Sequence, residues 1–512
     1  MRINLLSTTA VLALLFFASC INAQDKPDFL LILADDMNLD SVGVYGCSMP
    51  QTTPNIDALA REGRRYDHAH VASTACQPSR VAIATGRIGH RSGGEGFHRL
   101  RFKDIPTLPR TLKEHGYFVG IVGKVSHSTP YDDTPWDKAI EVGRDTKEIV
   151  ELTKSYIATA KEQNKPYCIL VNSHDPHRPY FNINKHTAST SKNNNSVPSK
   201  VFSPEEMIIP NDIPDVEATR YEQACYFSSV RRFDDVVGGV LGLVDDPQSR
   251  KNTMVAVLSD HGIAKPTAKS NIYPQSTKTP LILRMEGVIP PGVDSDNFIS
   301  SMDLFPTILE LASAPPLQGA DGISMLPLFK GDASHSRHNI HTQYYSTIGK
   351  KHFQMRCFQD KNYAFIYNAW YSGKPVYKSS ALGGEIFKSM VQEGRSNPHW
   401  KARAEFILTR TPEEFYDLRK DPFCQNNLFN NPEYKEFVEK YRAEMLARMK
   451  RTKDYILPLY EGYLQHNNSQ TMREDFVTVL AEEGVLGGAP EKEYALEDFT
   501  LSRKDRKRKK KK

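Results

Sequence analysis

Short apolar runs alternate along the chain with stretches whose apolar residues recur at helical spacing. That order predicts strands feeding helices, the pattern of an α/β domain with a largely parallel sheet. The first run is Phe29 to Ala34, and others follow at Phe118 to Val122, Tyr167 to Asn172, Thr253 to Leu258 and Pro280 to Arg284. Helical spacing covers Asn55 to Glu62 before Gly63, Leu108 to His115 before Gly116, about Ala218 to Leu243, and Met302 to Ala312. A glycine just past the last periodic residue is a common helix stop. Polar residues gather directly after several of the strands, and open α/β sheets bind ligands beyond the carboxyl ends of their strands.

After about Gly331 the pattern changes to aromatic, alternating segments such as Tyr363 to Trp370, then to helical spacing over Glu433 to Lys450. This predicts a smaller α+β companion. The expected organisation is a catalytic domain over 24–335, a C-terminal subdomain over 336–465 and an extension over 466–512. Asn182 to Pro204, rich in Asn, Ser, Thr and Lys, reads as an exposed insertion loop, and Glu491 to Lys512 as a disordered charged end.

With 39% hydrophobic and 25% charged residues in 512, the composition excludes a disordered or collagen-like chain. The net charge of +5 misleads, because Arg503 to Lys512 holds nine Lys/Arg and one Asp, which leaves the rest of the chain at −3. No basic stripe interleaved with aromatics lies outside that tail, so nucleic acid is not an expected partner. Arg2, the apolar run Val11 to Phe17 and the small residues Ala18, Ser19 and Ala23 have the layout of a secretory signal over 1–23. Cys20 could instead be the lipidated residue of an imperfect lipobox. No later run is apolar for the ~18 residues a spanning helix needs. Secretion or periplasmic export is therefore expected, with a lipid anchor as the alternative. The seven cysteines are too sparse for a disulfide scaffold or zinc module, and their pairing stays open.

Two strand ends carry unusual groups. Asp35 and Asp36 follow the first run, and adjacent buried carboxylates repel unless a cation or proton reconciles them. Ser259, Asp260, His261 and Gly262 follow the run Thr253 to Leu258. Three carboxylates and an imidazole at two strand ends favour a hard divalent ion, Ca²⁺ or Mg²⁺. Cys76 begins the run Cys76, Gln77, Pro78, Ser79, Arg80, with Gly86 as the stop, which places it at a helix N-terminus. Unpaired N–H groups there bind anions and lower a thiol's pKa. The pattern C-x-P-S-R is expected by chance in roughly one of 300 chains this long.

C-x-P-S-R resembles the sulfatase signature, in which the cysteine becomes formylglycine after synthesis. The resemblance extends over about residues 27 to 450, through Thr53 to Asp57, Gly123 and Lys124, His174 to His177, Ser259 to Gly262, and Phe415 to Leu418 with Asp421 and Pro422. It implies an alkaline-phosphatase-like α/β fold with a large, mostly parallel mixed sheet, a smaller C-terminal subdomain, and hydrolysis of sulfate esters or sulfamates. It also implies one Ca²⁺ held by Asp35, Asp36, Asp260, His261 and modified Cys76, with Mg²⁺ as the alternative. Arg80 would hold the aldehyde hydrate at 76, Lys124 and Lys269 would neutralise sulfate oxygens, His174 would protonate the leaving group, and His127 would take the proton that releases sulfate. A formylglycine-generating or anaerobic sulfatase-maturating enzyme is the implied partner.

The spacing from Asp260 to Lys269, the run Ser270 to Tyr273 and the stretch from His341 to Pro422 resemble heparan N-sulfatases. His127, three residues after Lys124, and His261 resemble iduronate 2-sulfatases instead. The expected substrate is thus a sulfated glycan, with N-sulfated glucosamine ahead of uronate, N-acetylglucosamine or galactose O-sulfates. His98 and Asp175 are further candidate sugar contacts. A phosphodiesterase or phosphatase of the same superfold, with Ser or Thr as nucleophile and two zinc ions, fits Cys76 less well, and a non-catalytic glycan-binding protein would not need the intact centre.

Overall fold

The computed structural model describes residues 26–185, 196–466, 472–485 and 487–500. The signal segment with Cys20, the middle of the insertion loop and the basic run Arg503 to Lys512 lie outside the described residues.

Eight strands form one sheet: β1 (Asp28–Asp35), β2 (Arg64–His70), β3 (Phe118–Val122), β4 (Lys138–Ile140), β5 (Tyr167–Pro176), β6 (Thr253–Ser259), β7 (Leu281–Arg284) and β8 (Gly292–Ser300). Their order is β4-β3-β5-β1-β6-β7-β2-β8. The block from β4 to β6 is parallel throughout, and β2 runs parallel to β8. The run expected at Pro280 to Arg284 is β7, which is antiparallel to both neighbours, so the sheet is mixed and mostly parallel, as expected. Residues 29 to 33 of β1 are buried on both faces, which is why this strand reads as continuously apolar.

Layers of helices cover both faces. Phe29, Leu31 and Leu33 pack with Ile83, Phe305 and Ile308 on one side. Leu30 and Ile32 pack with Ile149, Val230 and Phe233 on the other. The last two residues come from the long helix Glu217–Leu241, close to its expected span.

A second sheet, antiparallel and in the order β12-β11-β10-β9, is built from β9 (Asn339–Ser346), β10 (His352–Asp360), β11 (Tyr363–Asn368) and β12 (Glu413–Asp417). Its core runs on past the boundary expected at residue 465. Met472, Phe476 and Leu480 of the helix Met472–Glu482 belong to it, as does Phe499. Phe499 meets Phe387 edge-on at 4.9 Å, and Tyr494 N–H donates to the Pro375 carbonyl. The segment 491–500 is therefore packed, not disordered as expected, because its two aromatics find partners. Ala75, Ile272 and Tyr273 of the large domain share this core, so the two sheets meet close to Cys76.

Candidate active site

Register brings the strand ends together. In the sheet Leu33 faces Asn172 on β5, Ala34 faces Ser259 on β6, and Asp35 then pairs with Pro176 across an irregularity. Asp35, Asp36, Asp260, His261 and the His174–His177 segment thus share one edge. The helix Cys76–Thr85 lies over that edge with all ten residues buried, and Gly86 closes it at φ 60°.

The Cys76 thiol is the centre of the cluster. It lies 3.4 Å from Asp35 Oδ1, 3.3 Å from His261 Nε2 and 3.4 Å from Lys269 Nζ. Donor atoms of Asp35, Asp36, Cys76 and His261 all fall within 4.8 Å of one another, and all four residues are buried. Asp260 stands beside them. Its Oδ1 accepts from the Asp36 N–H at 3.1 Å and lies 3.7 Å from His261 Nε2, and its Oδ2 accepts from Arg80 Nε at 3.0 Å. Arg80 also donates to Asn172 Oδ1 at 2.7 Å and to the Ala34 carbonyl at 3.3 Å, so its plane is fixed from three sides.

Two ammonium groups press on the carboxylates. Lys269 Nζ donates to Asp36 at 2.7 and 3.0 Å, and Lys124 Nζ is ion-paired with Asp35 Oδ2. Lys124 reaches there from a left-handed turn, φ 50°, whose backbone N–H and that of Val125 each donate to Glu141 at 2.9 Å. Gly123 before it has no room for a side chain, since a Cβ would lie 2.3 Å from the Asn172 carbonyl.

Burial opposes ionisation of Asp35 and Asp36, but Lys124 beside the first and Lys269 beside the second outweigh it and hold both below the usual carboxylate range. Burial and the Asp35 charge push Asp260 up. The expected lowering of the thiol is corrected. Burial, and then Asp35, raise Cys76 well above an ordinary thiol, so the helix N-terminus does not make a thiolate nucleophile here.

The histidines divide differently from expectation. His177 Nε2 lies 3.9 Å from Asp36 Oδ2 and faces the cluster, and burial pushes its pKa down to about 4. His174, expected to serve the leaving group, bonds instead to Glu141 Oε1 at 2.9 Å. The segment carried two histidines three residues apart, and sequence alone offered no signal to choose between them. His127 stands edge-on to Phe97 at 5.6 Å with a buried Nδ1 that has no partner, and burial, followed by Lys124, lowers it to about 4. His98 is half-buried beside the cluster's helix, its carbonyl accepting from Gln77 Nε2 at 2.8 Å. Asp175, expected to touch sugar, is corrected to a bracing role: it is buried and clamped between Arg144 and Arg232, the latter at 2.6 and 2.9 Å. Among the described residues the six cysteines are all free.

The acidic set fits a hard cation. Four buried donor groups converge, three of them oxygen or imidazole, and the carboxylates that would otherwise repel are balanced by the Lys124 and Lys269 ammonium groups and the Arg80 guanidinium.

The family model described as Sulfatase matches residues 27–314, and the model described as N-sulphoglucosamine sulphohydrolase, C-terminal, matches residues 265–375. An ulvan-active sulfatase of Formosa agariphila is 29% identical over 446 residues, covering 85% of this chain and 82% of its own length. Human N-sulphoglucosamine sulphohydrolase is 26% identical over 501 residues, covering 90% and 97%. A solved structure described as a complex with its substrate D-glucosamine-2-N,6-O-disulfate superposes with a TM-score of 0.61 at 18% identity, covering 84% of this chain and 98% of that one, which shows a common fold. The family match spans more than half of the chain and takes in Asp35, Asp36, Cys76, Arg80, Asp260 and His261; the chain belongs to the sulfatase family and is a sulfate ester hydrolase.

Proposed function

We propose that this sulfatase removes sulfate from a sulfated glycan, with N-sulfated glucosamine at a non-reducing end as the preferred substrate. The observation that carries the reaction is the placement of the Cys76 side chain 3.3–3.4 Å from Asp35, His261 and Lys269. Support for the N-sulfate comes from the match of residues 265–375, which include Lys269, to the sulphohydrolase C-terminal model.

Residue 76, converted by a formylglycine-generating or anaerobic sulfatase-maturating enzyme and hydrated, supplies the attacking hydroxyl. Asp35, Asp36, Asp260, His261 and residue 76 would hold one ion, for which Ca²⁺ is proposed over Mg²⁺. When bound it supplies positive charge that favours the ionised hydroxyl. The chain's own groups do the rest. Arg80, locked by Asp260, Asn172 and Ala34, holds residue 76 in register. Lys124 and Lys269 stand on opposite carboxylates and offer two cations to sulfate oxygens as charge develops. His127, neutral because burial lowers its pKa to about 4, has a free ring nitrogen to accept the proton of the remaining hydroxyl. His177 faces the cluster and is assigned the leaving-group proton; burial leaves it neutral in the free protein, so it takes up that proton when the negative charge of the bound sulfate stands beside it, with His174 holding Glu141 beneath the Lys124 turn.

An O-sulfated sugar is the second reading, favoured by the 29% identity to the ulvan-active enzyme and by the His127 spacing. Mass spectrometry of the peptide containing residue 76 tests the modification. A panel of N-sulfo, 2-O-sulfo and 6-O-sulfo sugars compared by kcat/KM tests the substrate, since that ratio reports differential transition-state binding. An inert N-sulfo sugar beside an active O-sulfo sugar replaces the first reading with the second. Export to the periplasm or medium is part of the proposal; no described helix is long and apolar enough to cross a membrane.

A further inference from the structure

A second cavity, of about 300 Å³, opens between the large sheet and the small one. It is lined by Asn38, Asp40, His68, Gln275, Lys278 and Phe298, with Leu418 and Phe423 of the smaller subdomain across from them. None of the cluster residues lines it. The wall between the two is tight: a Cβ on Gly262, next to His261, would lie 2.0 Å from the Gln275 carbonyl and 2.6 Å from Asn38 Oδ1. The cavity is thus a separate chamber, not an extension of the reacting centre.

One side of it is a flat ring surface. His68 and Phe298 stack at 4.7 Å with their planes 14° apart. Around this surface several polar groups have no partner in the protein. Both the oxygen and the nitrogen of the Gln275 amide, His68 Nδ1 and Gln359 Oε1 are buried without a hydrogen bond. Among the described residues no carboxylate lies within 4.0 Å of the Lys278 ammonium, although Lys361 at the rim is paired with Asp296 at 2.7 Å. Burial lowers the Lys278 pKa, so the cation is held against a real desolvation cost. Native proteins leave few buried polar groups unbonded, because each carries the penalty of having left water without a partner. Several such groups around one cavity point to an occupant that brings its own donors, acceptors and negative charge.

We propose that this chamber is an accessory subsite for an anionic sugar residue, whose ring lies on the His68–Phe298 surface, whose hydroxyls reach Gln275, and whose carboxylate or sulfate pairs with Lys278. A mostly apolar pocket with a few convergent polar groups is the general form of a small-ligand site. The choice of a sugar rests on the sulfated-glycan reading above, while the anion and the ring platform rest on the chamber itself.

The test uses the full chain with Cys76→Ala, which binds without turnover, and isothermal titration with three probes: an unsulfated uronate disaccharide, N-sulfoglucosamine and neutral cellobiose. At least one anionic probe is expected to bind in preference to cellobiose, and Lys278→Met is expected to weaken it at least tenfold, with Lys278→Arg restoring most of the loss. The arm that responds identifies carboxylate or sulfate as the anion. In the Cys76 protein, Lys278→Met should leave turnover of a small aryl sulfate within twofold. Equal affinity in Lys278→Met, or cellobiose binding as tightly as the anionic probes, overturns the subsite. Absent turnover of every sulfated sugar with a Lys278-dependent anionic-sugar isotherm retained would sink the glycan sulfatase reading and leave the subsite standing.

Discussion

Arg410 of the small subdomain donates to Asn271 Oδ1 at 2.5 Å, two residues beyond Lys269. The same guanidinium bonds to the Tyr273 hydroxyl and stacks over the Tyr273 and Tyr377 rings, while Tyr377 itself donates to the Ser270 carbonyl at 2.6 Å. Arg410 sits at φ 62°, a backbone state that a non-glycine residue holds only when its surroundings require it. The small sheet thus grips the loop whose lysine touches Asp36 and Cys76.

Loosening that grip should cost rate more than binding. Arg410→Met is expected to lower kcat on an aryl sulfate by about 10²-fold, the scale of a 1 Å misplacement of a reacting group. Arg410→Lys, and added guanidinium, should recover part of it. Steady-state kinetics with near-ultraviolet circular dichroism decide: an unchanged kcat in a folded Arg410→Met protein contradicts the coupling.

The two histidines of the His174–His177 segment should separate under mutation. His177→Ala, which removes the ring facing Asp36, is expected to lose about 10²–10⁴-fold in kcat, the range of a lost general acid. His174→Ala should lose less, because its ring only steadies Glu141. The reverse ranking in matched assays would restore His174 to the leaving-group role.

Cys76→Ser should fold and bind metal yet lack steady turnover, since a single hydroxyl can accept sulfate but has no aldehyde route to release it. Wild-type steady-state rates in a verified Cys76→Ser preparation would contradict the chemistry assigned to residue 76.

Chelation is expected to abolish activity and Ca²⁺ to restore it, with a rise in melting temperature on readdition, because ligand bound only by the folded state stabilises it. Zn²⁺ alone restoring full activity would overturn the assignment of a hard ion. Asp260→Ala should weaken the calcium-induced shift even when assayed without substrate.

Asp454 and Arg356 form a buried ion pair at 2.9 Å in the smaller subdomain. Burial opposes the Asp454 charge, yet Arg356 holds its pKa down at about 2, against 3.8 for the ordinary carboxyl. A depressed folded pKa contributes stability above the unfolded value and loses it as pH falls from about 4 to about 2, here roughly 2–3 kcal/mol. Urea midpoints measured from pH 7 to pH 2 should show this loss. In Asp454→Asn the protein should be weaker at pH 7, with a shallower decline over the acid range.

Much of this architecture was legible because its physics is local. β1 and β6 are buried on both faces and so read as unbroken apolar runs, and Cys76, Pro78 and Gly86 mark a helix by its ends. The last two strands at the β8 end of the sheet were not legible. β2, whose sequence is RRYDHAH, and β8, GVDSDNFIS, keep exposed or half-exposed positions through much of their length, and neither shows a clean alternation. The choice between His174 and His177 was equally hidden, because it depends on the irregular register between β1 and β5 rather than on any residue type. The thiol pKa was misjudged since a helix end favours thiolate only where burial and neighbouring carboxylates do not oppose it.

Cys76 is 2% exposed, and every residue of its helix is enclosed with it. No second protein can seat that side chain in its own active site while this fold is closed. The proposed conversion of residue 76 would therefore belong to the extended chain, before the two sheets meet over it, and the order of events in the cell would become a property of the enzyme: the share of active molecules would be fixed by a race between modification and folding, and a molecule that folded first would be locked out of activity for the lifetime of its native state.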